Sequence, residues 1–140
     1  MSKSQQLKVR CFFSFVAVLC CVSALLAKPY SPRPGSAERK AILDALRVPI
    51  QREAGQTIVF YGVNIKVEKG WSWVSAISKD KTGKKLPLGD LATQGLLHKV
   101  KGRWRVEHWG VSGDISVVCA AAKAYPQAPR SLFGSVLGYC

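Results

Sequence analysis

Two stretches of this chain carry the same device, and that device fixes what the middle of the chain can become. The first is VNIKVEKGWSWV, residues 63–74, and the second is GLLHKVKGRWRVEHWGVSG, residues 95–113. In each, apolar and polar residues alternate on both sides of a Lys-Gly pair. Alternation at period two marks a half-buried strand, and glycine between two such runs marks a tight turn. Each stretch reads as a β-hairpin. Two hairpins in succession predict a four-stranded antiparallel meander.

The hairpins' register follows from the turn. A three-residue loop Val100-Lys101-Gly102 places Gly102 in a left-handed conformation that costs glycine nothing sterically. Lys99 then faces Arg103, His98 faces Trp104, and Leu96 faces Val106. Leu96, His98, Trp104, Val106 and His108 fall on one side, and Lys99, Arg103, Arg105 and Glu107 on the other. A one-residue slip would pair His98 with Arg105 and mix the two sides. In the first hairpin the same logic makes Glu68-Lys69-Gly70 the loop, with Val67 against Trp71 and Ile65 against Trp73.

The flanks add helices. Ser36 offers an N-cap to a helix over residues 37–54, with Ile42, Leu43, Leu46 and Ile50 on one face and Gly55 as its close. Pro49 should kink that helix or end it. A strand over residues 57–67 puts Val59, Tyr61, Val63, Ile65 and Val67 on one face, with Gly62 at a bend or bulge. Residues 79–90 form a basic loop. Ser112 or Asp114 can cap a short helix from about 115 to 125, which Pro126 and Pro129 end. The fold class is α+β: an N-terminal helix packed on a four-stranded antiparallel meander, then a short C-terminal helix.

Residues 1–27 look like an export signal. Lys3, Lys8 and Arg10 precede an apolar run over 12–26, and cleavage fits after Ala24 or Ala27. The run falls short of the ~18 apolar residues that favour a spanning helix, so no transmembrane segment is expected in the mature protein. Residues 28–35, KPYSPRPG, read as a proline-rich linker with extended, unpaired backbone, and residues 36–140 as one domain. Removing the signal leaves 18 basic and 8 acidic residues, a net charge of +10. That balance favours anionic partners such as an envelope polymer or an acidic protein. Export, to the periplasm or beyond the cell, argues against intracellular nucleic acid. Of five cysteines, Cys119 and Cys140 remain, an even pair that an oxidising compartment would bridge.

The order RKAILDALRVPI, then WSWV, then GLLHKVKGRWRV resembles a group of small uncharacterised exported bacterial proteins. The closing segment GRWRVEHW is similar to the last strands of cystatin-like and NTF2-like α+β domains. The resemblance implies a cystatin-like or NTF2-like α+β core. In NTF2-like enzymes it also implies a conical pocket lined by acid and base residues.

Chemistry-bearing motifs are sparse. There is no G-x-S-x-G, no H-E-x-x-H and no phosphate loop. No metal or cofactor is expected. His98 and His108 stand about 13 Å apart in the register above, too far for one metal ion. The basic residues gather in two places. Lys79, Lys81, Lys84 and Lys85 lie in the loop, and Lys99, Lys101, Arg103 and Arg105 lie on the second hairpin, where Trp109 shares the parity of the two arginines. Cations interleaved with an aromatic suit an anionic polymer. The sequence thus points to a non-catalytic exported binding or interaction module. A binder of anionic polymer through Lys79, Lys81, Lys84, Lys85, Lys99, Arg103, Arg105 and Trp109 is a sharper form of that reading. An NTF2-like enzyme using His98 or His108 with Tyr61 is the alternative.

Overall fold

The computed structural model describes residues 28–86 and 92–140. The expected export signal lies outside them, as do residues 87–90 of the expected basic loop. The described chain runs as helix α1 (Ala37–Ala54), strands β1 (Ile58–Glu68), β2 (Trp71–Asp80), β3 (Ala92–Val100) and β4 (Arg103–Ser112), and helix α2 (Ser116–Ala124). Two 3-10 turns follow, Arg130–Leu132 and Gly134–Tyr139. The strands form one antiparallel sheet in the order β1-β2-β3-β4, the predicted meander. The N-terminal helix, four-stranded sheet and short C-terminal helix match the expected fold class, and their order is consistent with a cystatin-like or NTF2-like topology.

α1 begins where Ser36 Oγ accepts the Arg39 amide at 3.2 Å, and it closes on Gly55 at φ 65°. It does not end at Pro49 but continues to Ala54. Ile42, Leu46 and Ile50 are fully buried against Ile58, Ile65, Val67, Val74 and Leu97 of the sheet. The sheet makes room at Gly95, where a Cβ would stand 2.5 Å from Leu46 Cδ1. A side chain at Gly95 would therefore push the Leu46 side chain out of its place.

The register differs from the sequence expectation in both hairpins. The turns have two residues, not three. Glu68 pairs with Trp71 and Val67 with Ser72; Val100 pairs with Arg103, Lys99 with Trp104, and His98 with Arg105. Lys69 and Lys101 take φ 49°, and Gly70 and Gly102 φ 77°, the two left-handed residues of a type I′ turn. Strand alternation then sends Trp71 and Trp73 to the face opposite Ile65 and Val67. His98 no longer faces Trp104 but stacks on Trp71, with ring centroids 4.0 Å apart. The slip leaves Trp71 and Trp73 buried because the chain's C-terminal segment covers their part of this face, while Arg103 and Arg105 stay exposed on it.

The second cover is the C-terminal segment. Trp71, Trp73 and Leu96 pack with Val117, Val118, Ala121, Ala128, Leu132 and Phe133. Phe133 meets Trp73 edge-on at 5.2 Å, and Ser131 hydrogen-bonds the buried Glu68. Asp114 accepts the Ser116 amide at 2.8 Å and the Ser112 hydroxyl at 2.6 Å, which sets the start of α2. The expected bridge is present: Cys119 in α2 is joined to Cys140.

Two bulges adjust the strands. One sits at Gly62, φ 58°, where Tyr61 pairs with Ile77 but Asn64 with Ser75. It reverses parity, so Tyr61 and Val59 leave the face of Ile65 and Val67. The other leaves Glu107 as an extra residue between Val106, opposite Leu97, and His108, opposite Leu96. The expected linker is also tied down. Tyr30 and Val67 exchange two backbone hydrogen bonds, at 3.0 and 2.7 Å, and Ser31 Oγ donates to the Ile65 carbonyl.

Candidate functional sites at the two ends of the sheet

A meander sends its hairpin turns to one end and its middle loop to the other. The two basic clusters, read from the sequence as parts of one binding site, are therefore parted. β2 spans ten residues, so at ~3.3 Å per residue the two ends stand about 30 Å apart.

The loop end is built around Asp80. One carboxylate oxygen of Asp80 accepts the Thr82 amide at 2.7 Å, the Thr82 hydroxyl at 2.7 Å and the Lys84 amide at 2.9 Å. These bonds, that from the Thr82 hydroxyl first, hold the acid below its usual carboxylate range. Lys79 and Lys85 pair across the loop as an isolated bridge. Ile77, Lys79, Gly83, Lys84 and Lys85 line a hollow of about 660 Å³. Lys81 is exposed at the loop's tip. The outer face stops being covered here: Tyr61 is 43% and Ile77 39% exposed, and Lys79 Nζ stands 5.3 Å from the Tyr61 ring centroid.

The turn end carries Lys69, Lys101, Arg103 and Arg105, all exposed. Among the described residues none of the four side chains takes a hydrogen bond, ion pair or ring contact. Val100, Lys101, Arg103, Trp104 and Arg105 line a shallow hollow of about 540 Å³. Lys99 is not with the arginines. Its register position is opposite Trp104 on the α1 side, where its ammonium lies 5.6 Å from the Trp104 ring centroid and 3.8 Å from Glu38.

Trp109 does not stand with the arginines either. The Glu107 bulge reverses parity, and Trp109 packs with Trp104 and Val106 against the core under α1. Lys69 is the cation that sequence reasoning missed. Its signal was present in the Lys-Gly pair that both hairpins share.

The histidines are nearer to each other than expected. His108 pairs with Leu96, two residues from His98 on the same face, so they are diagonal neighbours roughly 7–8 Å apart rather than about 13 Å. His98 is occupied by its stack on Trp71. Neither histidine lines the hollows at the two sheet ends. Among the described residues no three of His, Cys, Asp and Glu gather as a metal ion would need. No described helix is long and apolar enough to cross a membrane.

No protein-family model matches the chain, and neither a curated protein nor a solved structure does.

Proposed function

We propose that this chain is a small exported module of the cell envelope whose work is binding rather than catalysis, and that its partner is an anionic polymer. One observation carries the reading: cations without a partner among the described residues collect at one end of the sheet and a lysine-lined hollow at the other, about 30 Å apart. A small anion could use one end only. An extended polymer could lie along the sheet and use both. The proline-rich entry and the Cys119–Cys140 bridge suit a secreted chain.

Contacts between exposed charges weaken with salt, since the screening length is about 8 Å at physiological ionic strength. Binding to an acidic envelope polymer should therefore fall steeply as salt rises. Reversing Lys84 and Lys85, or Arg103 and Arg105, should weaken it without unfolding the domain. Affinity indifferent to salt and to both reversals would leave only a solvated basic surface. N-terminal sequencing of protein from a native host tests the address, with a start near Leu25 or Lys28 expected.

A further inference from the structure

The two turn lysines suit their backbone poorly. Both central residues of a two-residue hairpin turn need positive φ, which Asn, Asp or Gly adopt at little cost. The Cβ of a longer side chain crowds the following carbonyl there. Among the described residues Lys69 and Lys101, each at φ 49°, are the two non-glycine residues with positive φ. Neither side chain makes a hydrogen bond or ion pair among the described residues, so the fold does not repay the choice. Yet the same residue type holds the same unfavourable place in both turns.

The turns also stand in a fixed relation. The Lys99 amide donates to the Gly70 carbonyl at 2.7 Å, binding the first turn to the strand that leads into the second. Two strand spacings, about 10 Å, separate the turns across the sheet. Arg103 and Arg105 continue the row on exposed positions of β4. Among the described residues neither turn itself carries an exposed large apolar side chain; the nearest, Tyr30 beside Val67, is 49% exposed and donates its hydroxyl to Glu38.

We infer that Lys69 and Lys101 are ligand-binding lysines kept at a cost to turn stability. With Arg103 and Arg105 they form a contact row for a linear polyanion whose phosphate-like groups recur at spacings under about 10 Å. The inference rests on the polymer-binding reading above and names the cations that carry it.

The test pairs melting curves with polyphosphate binding across a salt series. The double variant Lys69→Asn with Lys101→Asn should raise Tm by about 2–5 °C, because Asn relieves both turns. It should also weaken polyphosphate binding roughly tenfold and lower the slope of log affinity against log salt by about 1.5. Arg52→Gln with Lys123→Gln removes the same charge elsewhere and should hold affinity within about twofold. Several results would overturn the inference: unchanged binding in the turn variant, an equal loss in the charge-matched control, or a fall in Tm. Binding to phosphatidylglycerol vesicles but not to polyphosphate would overturn the polymer as partner. A wild-type chain that binds no polyphosphate sinks the polymer reading itself. Wild-type binding that survives the turn variant sinks only the assignment to Lys69 and Lys101.

Discussion

The two faces of the sheet are sealed by different means. One is closed by an 18-residue helix that lays Ile42, Leu46 and Ile50 on aliphatic strand residues, with caps at both ends. The other is closed by a nine-residue helix and two 3-10 turns, whose contacts centre on Trp71, Trp73 and Phe133 and whose end is tied by a disulfide. A long capped helix can hold its place by packing alone. A short segment with small residues such as Ala121 and Ala128 buries less per residue and gains from a covalent tie. The shorter cover also ends early. It stops before Tyr61 and Ile77, which leaves the lysine hollow open to solvent.

The largest effects should come from emptying each core in turn. Trp73→Ala should cost about 3–5 kcal/mol and Leu46→Ala about 2–5 kcal/mol in chemical denaturation, since both side chains are buried. Cys140→Ser should cost roughly 3 kcal/mol, for a bridge closing a sequence separation of 21. Combining variants sharpens the contrast between the faces. Cys140→Ser and Leu46→Ala lie in different layers and should add within about 0.5 kcal/mol, whereas Cys140→Ser and Trp73→Ala share a layer and should not. Additivity in both pairs would erase the distinction. Hydrogen exchange after reduction offers an independent check: amides of Ser116–Ala124 should lose protection while those of Ala37–Ala54 keep theirs.

The smallest effect concerns acid. Hydrogen bonds from the Ser112 hydroxyl, then from Ser116, lower the Asp114 pKa to about 2. A carboxylate depressed on folding contributes above its unfolded value, near 3.8, and loses that contribution as pH falls through about 2. Between those values the start of α2 should loosen before α1 does. Asp114→Asn should remove that difference, as followed by NMR of the Ser116 amide.

The element order was legible because each element announces itself locally. Ser36, the apolar face Ile42-Leu46-Ile50 and Gly55 mark a helix, and the alternating runs around Lys-Gly mark hairpins. The Cys119–Cys140 pair followed from cysteine count and an expected secreted setting. The faces were not legible, and the cause is specific. Asn-Gly would have signalled a two-residue turn; Lys-Gly hid it, and one residue of register moves every side chain across the sheet. Trp71, Trp73 and His98 moved with it, and the second covered face went unseen. Trp109 was misplaced by the Glu107 bulge, which alternation alone cannot reveal. The cations of the loop and of the second hairpin were visible as two clusters, but Lys69 was missed, and joining the clusters into one site overlooked that a meander sends them to opposite ends of the sheet.

That separation is what the proposed function depends on, and polymer length probes it directly. Affinity should be measured for polyphosphates of graded length at fixed salt, with phosphate groups held at equal total concentration. If both ends grip one chain, affinity should climb by tenfold or more, on the order of a linked second site, once a polymer can reach about 30 Å. Reversing Lys84 and Lys85 should abolish that climb while leaving short-chain binding at the turns intact. A curve that is flat across this length, or a climb that survives the reversal, would contradict the two-ended account.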